Sequence, residues 1–140
     1  MDLGNLGFAA AIGLAAVGSA LGAGAAGQSA IGSWKKCFAN NKPAPFMLVA
    51  FVGAPLTQTI YGFILMNAII ASTQPSLYKL AAGVFAGIAM GYSAYMQGKA
   101  GAAASDALAE TGKGFGNYLM VLGLIETVAL FVMVFVMGVM

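Results

Sequence analysis

One carboxylate stands inside an apolar run. Glu126 is preceded by Leu124-Ile125 and followed by Thr127-Val128-Ala129-Leu130. If that run crosses a bilayer, a charge near its centre costs ~2.5–3.5 kcal/mol on insertion scales. Burial in hydrocarbon favours a neutral carboxyl group, so the chemistry such a residue suits is uptake of a proton or a cation. The competing explanation is a neutral, hydrogen-bonded Glu bracing two helices. A second polar cluster reads Ala54-Pro55-Leu56-Thr57-Gln58-Thr59-Ile60-Tyr61. Pro55 has no N–H, so a carbonyl one turn earlier, near Phe51, loses its partner, and the distorted turn can direct carbonyls near Ala54 toward a cation. Thr57 supplies a hydroxyl, Gln58 an amide oxygen and Tyr61 a phenol. Thr57 and Tyr61, four apart, share a helix face. Gln97 adds one more amide.

One carboxylate with several neutral oxygens suits a hard monovalent cation. Ca²⁺ wants more charge and Mg²⁺ more water. Na⁺ on one Glu makes a neutral complex, fit for a low-dielectric setting. A proton needs only the carboxylate and one hydrogen-bond partner. The extra oxygens of Thr57, Gln58 and Gln97 favour Na⁺, with H⁺ as the alternative. Taken singly, each polar residue is equally explained as satisfying a helix contact.

The elements that must hold these residues are membrane helices. Of 140 residues, 61% are hydrophobic and 7% charged, with a net charge of +2. Mean hydropathy is +0.90. A soluble domain is about one-quarter charged, so the composition predicts an integral membrane protein. With no His and one Cys, zinc sites and thiol or imidazole catalysis are poor fits. No basic cluster points to nucleic acid. Cys37 reads as an incidental free thiol of a reducing compartment. Crossing a core about 30 Å thick takes about 20 helical residues. Apolar stretches run from about Leu3 to Ile31, Ala44 to Ala71, Leu77 to Ala104, and Phe115 to Met140. They predict four transmembrane helices in two hairpins, residues 1–71 and 77–140, with no room for a domain outside the membrane. Met1-Asp2 lacks the positive start of a signal peptide, so the first helix is expected to be retained.

Polar turns are expected over Gly32–Pro43 and Ser105–Gly114, with Asp106 and Glu110 in the second. Lys35, Lys36, Lys42 and Lys113 sit in these turns, and Lys99 lies toward the end of the third helix. Only Lys79 lies on the other side. The positive-inside rule puts both turns in the cytoplasm and both termini outside.

The hairpins are related to each other. At a shift of 74, Gly13-Leu14-Ala15 meets Gly87-Ile88-Ala89, Ser19-Ala20 meets Ser93-Ala94, and Ala26-Gly27 meets Ala100-Gly101. In the second helices the shift is 68, and Leu56-Thr57-Gln58-Thr59 meets Leu124-Ile125-Glu126-Thr127. The order of matches predicts a duplicated, parallel-related hairpin. Gln58 then corresponds to Glu126, and Ala23 to Gln97. Gly18-x-x-x-Gly22 and Gly83-x-x-x-Gly87-x-x-x-Gly91 let backbones approach closely. The bulkier second and fourth helices carry Phe46, Phe51, Phe63, Phe131 and Phe135. Ordinary packing in a lone bundle is one explanation. An oligomer with an inner layer of helices 1 and 3 and an outer layer of 2 and 4 explains the asymmetry better. Gly22-Ala23-Gly24-Ala25-Ala26-Gly27 fits the dinucleotide fingerprint in letters only, since it lacks the strand that the motif requires.

At these residues the chain resembles the proteolipids of V-type (A/V-type) rotary ATPases, whose duplicated form, designated K or c, builds the rotor ring. The likeness extends over the whole chain and rests on the glycine-rich helices, Pro55-x-Thr57-Gln58-x-x-Tyr61, Gln97-Gly98-Lys99 and Ile125-Glu126-Thr127. The resemblance implies an all-α membrane protein that is not itself an enzyme. Copies of it would form a ring beside a stator subunit with an essential Arg, and central stalk subunits would meet the cytoplasmic loops around Trp34–Pro43 and Asp106–Lys113. Rotation would couple ion transport to ATP turnover in a soluble head. In Na⁺-binding members the matching ligands are Glu126, Gln97, Thr57, Gln58 and the Ala54 carbonyl, and Tyr61 holds the Glu. The family's usual Leu-Pro-Gly-Thr-Gln reads Ala54-Pro55-Leu56-Thr57-Gln58 here. Lipid is the surrounding partner, and the cell membrane the expected location. A small multidrug/proton antiporter would want aromatic residues beside Glu126, and a purely structural tetraspan or pore protein would not need Glu126 at all.

Overall fold

The computed structural model describes residues 2–140, all helix and connecting turns, with no strand among them. Helix α1 spans Gly4–Ala39 and α2 Leu48–Gly53. A 3-10 turn occupies Ala54–Leu56, and α3 spans Thr57–Ala71. Helix α4 covers Ser76–Thr111 and α5 Phe115–Met137. Three stretches are long and apolar enough to cross a membrane: Gly4–Ala39, Leu48–Ala71 and Phe115–Met137. Helix α4 matches α1 in length, 36 residues each, but mixes Lys79, Gln97, Lys99, Asp106 and Glu110 into its small residues.

Both polar turns are shorter than the sequence suggests. Helix α1 continues through Lys35 and Lys36 to Ala39, so the first connection is residues 40–47. Asp106 and Glu110 lie on α4, not in a loop, and the second connection is only Gly112-Lys113-Gly114. Hydropathy marks where hydrocarbon ends, whereas a helix continues as long as its residues favour it, and Lys, Glu and Ala do. A 36-residue helix is ~54 Å long at ~1.5 Å per residue, well beyond a core of about 30 Å. The chain then reverses through Gly112 at φ 67° and Gly114 at φ 92°, left-handed positions where glycine is at ease.

Helices α1 and α4 run parallel and touch backbone to backbone. A methyl placed on Gly83 would overlap the Gly7 carbonyl, and one on Gly18 the Gly91 carbonyl. These pairings fall close to the 74-residue shift of the repeat. Helix α3 lies antiparallel against α1, with Gly62 on Ala11 and Ala15. Helix α5 runs alongside α3 in parallel, tied by Tyr61 to Glu126 and by Ser72 Oγ to the Met140 carbonyl, pairs 65 and 68 residues apart. The fold thus places the two halves of the chain side by side, with contacts near the shifts of the sequence repeat.

Two apolar clusters flank the middle of the molecule. Ala11, Ala15, Leu65, Ile69, Met90 and Ala129 pack toward the chain termini. Ala30, Leu48, Phe51, Ala104, Leu108 and Leu122 pack toward the hairpin turns. Phe51 meets Phe115 and Tyr118 with ring centroids 5.5 and 6.2 Å apart. The polar residues singled out in the sequence lie between these clusters.

The terminal end is closed by Asp2. Its carboxylate accepts from the Ser76 hydroxyl and from the Gly4 N–H at 2.9 Å. These bonds, with Lys79 nearby, hold its pKa below the ordinary 3.8. A lowered folded-state pKa stabilises the contact above the unfolded-state value, and the gain is lost as pH falls through the folded-state value. The Gly4 amide is therefore expected to exchange slowly at pH 7, relative to its intrinsic rate, and to lose that protection below pH 3.8. Asp2→Asn should flatten this pH dependence; an unchanged dependence in that variant would rule the tether out.

Candidate functional site

Pro55 builds one wall. It leaves no N–H for the helix, and the chain tightens there into the 3-10 turn between α2 and α3. Leu56, where the family pattern has Gly, adopts φ −77° and ψ −21°. That is ordinary right-handed helix, and its side chain is exposed, so the turn does not require glycine. The turn sets the Ala54 carbonyl beside Thr57. It accepts the Thr57 hydroxyl at 3.0 Å and also the Thr57 N–H.

Helix α5 supplies the carboxylate, with Glu126 half-buried mid-way along it. One oxygen, Oε1, accepts the Tyr61 hydroxyl at 2.6 Å. The other, Oε2, accepts Gln97 Nε2 at 3.0 Å. Gln97 Nε2 also donates to the Leu122 carbonyl at 2.9 Å, and Gln97 Oε1 accepts Gln58 Nε2 at 2.9 Å. Gln58 Oε1 lies 3.2 Å from the Thr57 hydroxyl, which shares its one proton between that oxygen and the Ala54 carbonyl. Gln58 and Gln97 are fully buried, so these amides have no water to fall back on.

The structure therefore brings together Glu126, Gln97, Gln58, Thr57, Tyr61 and the Ala54 carbonyl. It contributes them from three helices and one turn. Thr59 stays outside the network. Thr127, next to Glu126, turns back to the Leu124 carbonyl at 2.6 Å. Two participants escape the sequence reading. Ser93 is buried, donates to the Ile125 carbonyl at 2.9 Å and accepts Gln58 Nε2 at 3.5 Å. The Leu122 carbonyl fixes Gln97. The available signal for Ser93 is its position four residues before Gln97 on the same helix, which puts both on one face.

The donor set has a definite polarity. Gln97 turns its NH₂, not its oxygen, toward Glu126. The free oxygen valences are those of Gln58 Oε1, Thr57 and the carboxylate. Both neighbours of the carboxylate donate to it, so for a proton to sit there one of them, the Tyr61 hydroxyl, must turn and accept. To give a cation the Gln97 oxygen as well, that amide must rotate by half a turn, and the Thr57 hydroxyl must swing off the Ala54 carbonyl.

Known proteins are similar to this chain in sequence. A family model for the C subunit of ATP synthase matches residues 80–138, which take in nearly all of α4 and α5. The A-type ATP synthase subunit K of Methanocaldococcus jannaschii is 36% identical over 132 residues, 92% of this chain and 57% of that protein. The chain thus spans little more than half the length of this curated relative. The second hairpin, whose α5 carboxylate is held from α3 and α4, is thus similar to the C subunit of ATP synthase, and the chain as a whole is similar to an A-type subunit K.

Proposed function

We propose that the chain is an ion-carrying rotor-ring subunit of an A/V-type ATPase membrane sector, taking one Na⁺ per copy at Glu126. The observation that supports this best is the convergence of Glu126 with Thr57, Gln58, Gln97 and the Ala54 carbonyl. One negative charge among neutral oxygens balances one monovalent cation. Tyr61 holds the carboxylate from the α3 side and would have to release it for an ion to pass. In this reading α4 crosses the membrane as a fourth span, because it pairs with α1 along the apolar part of both helices. Helices α1 and α4 form the inner layer of a ring of identical copies. The segment Leu48–Ala71 and α5 form the outer layer, against lipid and a stator subunit whose Arg displaces the ion. The hairpin turns face the cytoplasm and the central stalk, and the termini face outside the cell membrane. The chain itself performs no catalysis. ATP turnover belongs to the soluble head, and the chain's residues bind, shield and release the ion.

The H⁺ reading is the alternative, because a proton needs only the carboxylate and one accepting partner, a place the Tyr61 hydroxyl takes if it turns. Carbodiimide labelling of Glu126 in the purified oligomer separates the two, since the reagent attacks a protonated carboxyl. Labelling that rises at low pH and is suppressed by Na⁺ but not by K⁺ is the expected result. Labelling that follows pH alone makes the ring a proton carrier, and no labelling under any condition removes the carrier role.

A further inference from the structure

We infer that Ser93 is a positioning residue that sets which end of the Gln58 amide faces the ion. The inference rests on the Na⁺ reading above and concerns a residue that takes no ion itself.

An amide side chain offers a donor end and an acceptor end, and rotation by half a turn exchanges them. Only the oxygen can bind a cation. Inside the bundle, the choice is made by what each end meets. Ser93 Oγ carries one proton, and that proton is committed to the Ile125 carbonyl at 2.9 Å. A backbone carbonyl can only accept, so the serine has no freedom to turn the proton elsewhere. It presents lone pairs alone to its other neighbour, Gln58 Nε2 at 3.5 Å. Gln97 Oε1 presents lone pairs to the same nitrogen at 2.9 Å. Both N–H groups of Gln58 are drawn to that side. Its oxygen is left facing Thr57 Oγ1 at 3.2 Å, on the side of the Ala54 carbonyl.

The Gln97 contact cannot hold this polarity when an ion arrives. If Gln97 turns its oxygen toward the cation, it no longer accepts from Gln58. The turned Gln97 NH₂ then faces the Gln58 NH₂, donor against donor, and Ser93 is the acceptor left to keep Gln58 from turning as well, because its bond to Ile125 involves no ligand. Ser93 is buried, so no water can substitute for it. The same bond joins α4 to the residue before Glu126, and Ser93 thereby links the amide of α3 to the helix of the carboxylate.

The test uses the assembled oligomer and Na⁺ protection of Glu126 against a carbodiimide, read at several pH values. Ser93→Ala should weaken Na⁺ protection about tenfold, the scale of one hydrogen bond of ~1 kcal/mol or a little more. The pH of half-labelling without Na⁺ should stay in place, because Glu126 draws its own bonds from Tyr61 and Gln97. Ser93→Cys keeps nearly the same shape, but a thiol is a weak donor and acceptor, so it should behave like Ser93→Ala. Ser93→Thr keeps the hydroxyl and should recover most of the protection. Wild-type Na⁺ protection in Ser93→Cys would mean that the serine only fills space, which overturns the inference. Unchanged protection in Ser93→Ala overturns it as well. If the unaltered protein shows no Na⁺ protection, the Na⁺ reading falls and takes this role with it.

Discussion

Glu126→Gln is expected to abolish ion transport while leaving the subunit folded and assembled. The substitution keeps the shape and replaces one terminal oxygen by NH₂. Tyr61 can still donate to the new amide oxygen in place of its 2.6 Å bond to Oε1. Gln97 can turn its own oxygen to the new NH₂. What disappears is the charge. Unit charges 4 Å apart attract by about 4 kcal/mol at an effective dielectric near 20, so Na⁺ affinity should fall roughly a thousandfold. A proton has no site at all, since an amide does not titrate in this range. The measurement is Na⁺- or H⁺-dependent transport by the complex containing the variant, with oligomer size as the folding control. Retained transport would show that the carboxylate is only a brace between α3, α4 and α5. Loss of transport together with loss of the oligomer would make it a structural group.

The chemical types at this site are legible in the sequence because they are out of place there. A Glu, two Gln and a Pro within apolar helices each carry a cost, and a cost suggests a use. Their convergence is not legible from spacing alone. Glu126 and Gln97 come from different helices, and only the register of α4 on α5 brings them within 3.0 Å. The repeat foreshadows the registers of α1 on α4 and of α3 on α5, whose contacts fall near its shifts of 74 and 68, but not that of α4 on α5. Ser93 does not stand out, because a serine in a helix of Gly, Ala and Ser looks like one more small packing residue. The orientation of the amides is still less readable. Gln97 turns its NH₂ toward Glu126 because the Leu122 carbonyl lies on the same side, a backbone fact without a side-chain letter. The helix ends escape the sequence for a different reason. Hydropathy registers solvent, and the backbone of α1 and α4 continues past the point where the solvent changes. At Pro55, by contrast, local chemistry is sufficient. The missing N–H dictates a break wherever the rest of the helix goes.

The largest structural effect is expected at Gly18, where adding one methyl group should undo the contact of α1 with α4. A side-chain carbon there would overlap the Cα, carbonyl carbon and carbonyl oxygen of Gly91. All three are backbone, so no rotamer change relieves the clash. The two helices must move apart. Overpacking of this kind costs about 1–3 kcal/mol, and here it strikes an association that has no hydrophobic effect to fall back on. In lipid, close packing and hydrogen bonds hold helices together. Gly91 is also two residues from Ser93 and less than two turns from Gln97, so the shift propagates into the polar network. Gly24, six residues along the same helix, has nothing within 4 Å of a built methyl. There the ordinary helix propensity acts alone, and Ala in place of Gly gains about 0.5–1 kcal/mol. The two substitutions are chemically identical and should change stability in opposite directions: Gly18→Ala lowers the thermal unfolding temperature of the purified protein, and Gly24→Ala raises it or leaves it unchanged. Equal effects at both positions would show that the glycines serve only to loosen the helix. If Gly24→Ala instead breaks the oligomer and leaves the subunit's helices intact, the open face of α1 is where a neighbouring copy packs, and the small residues serve two contacts.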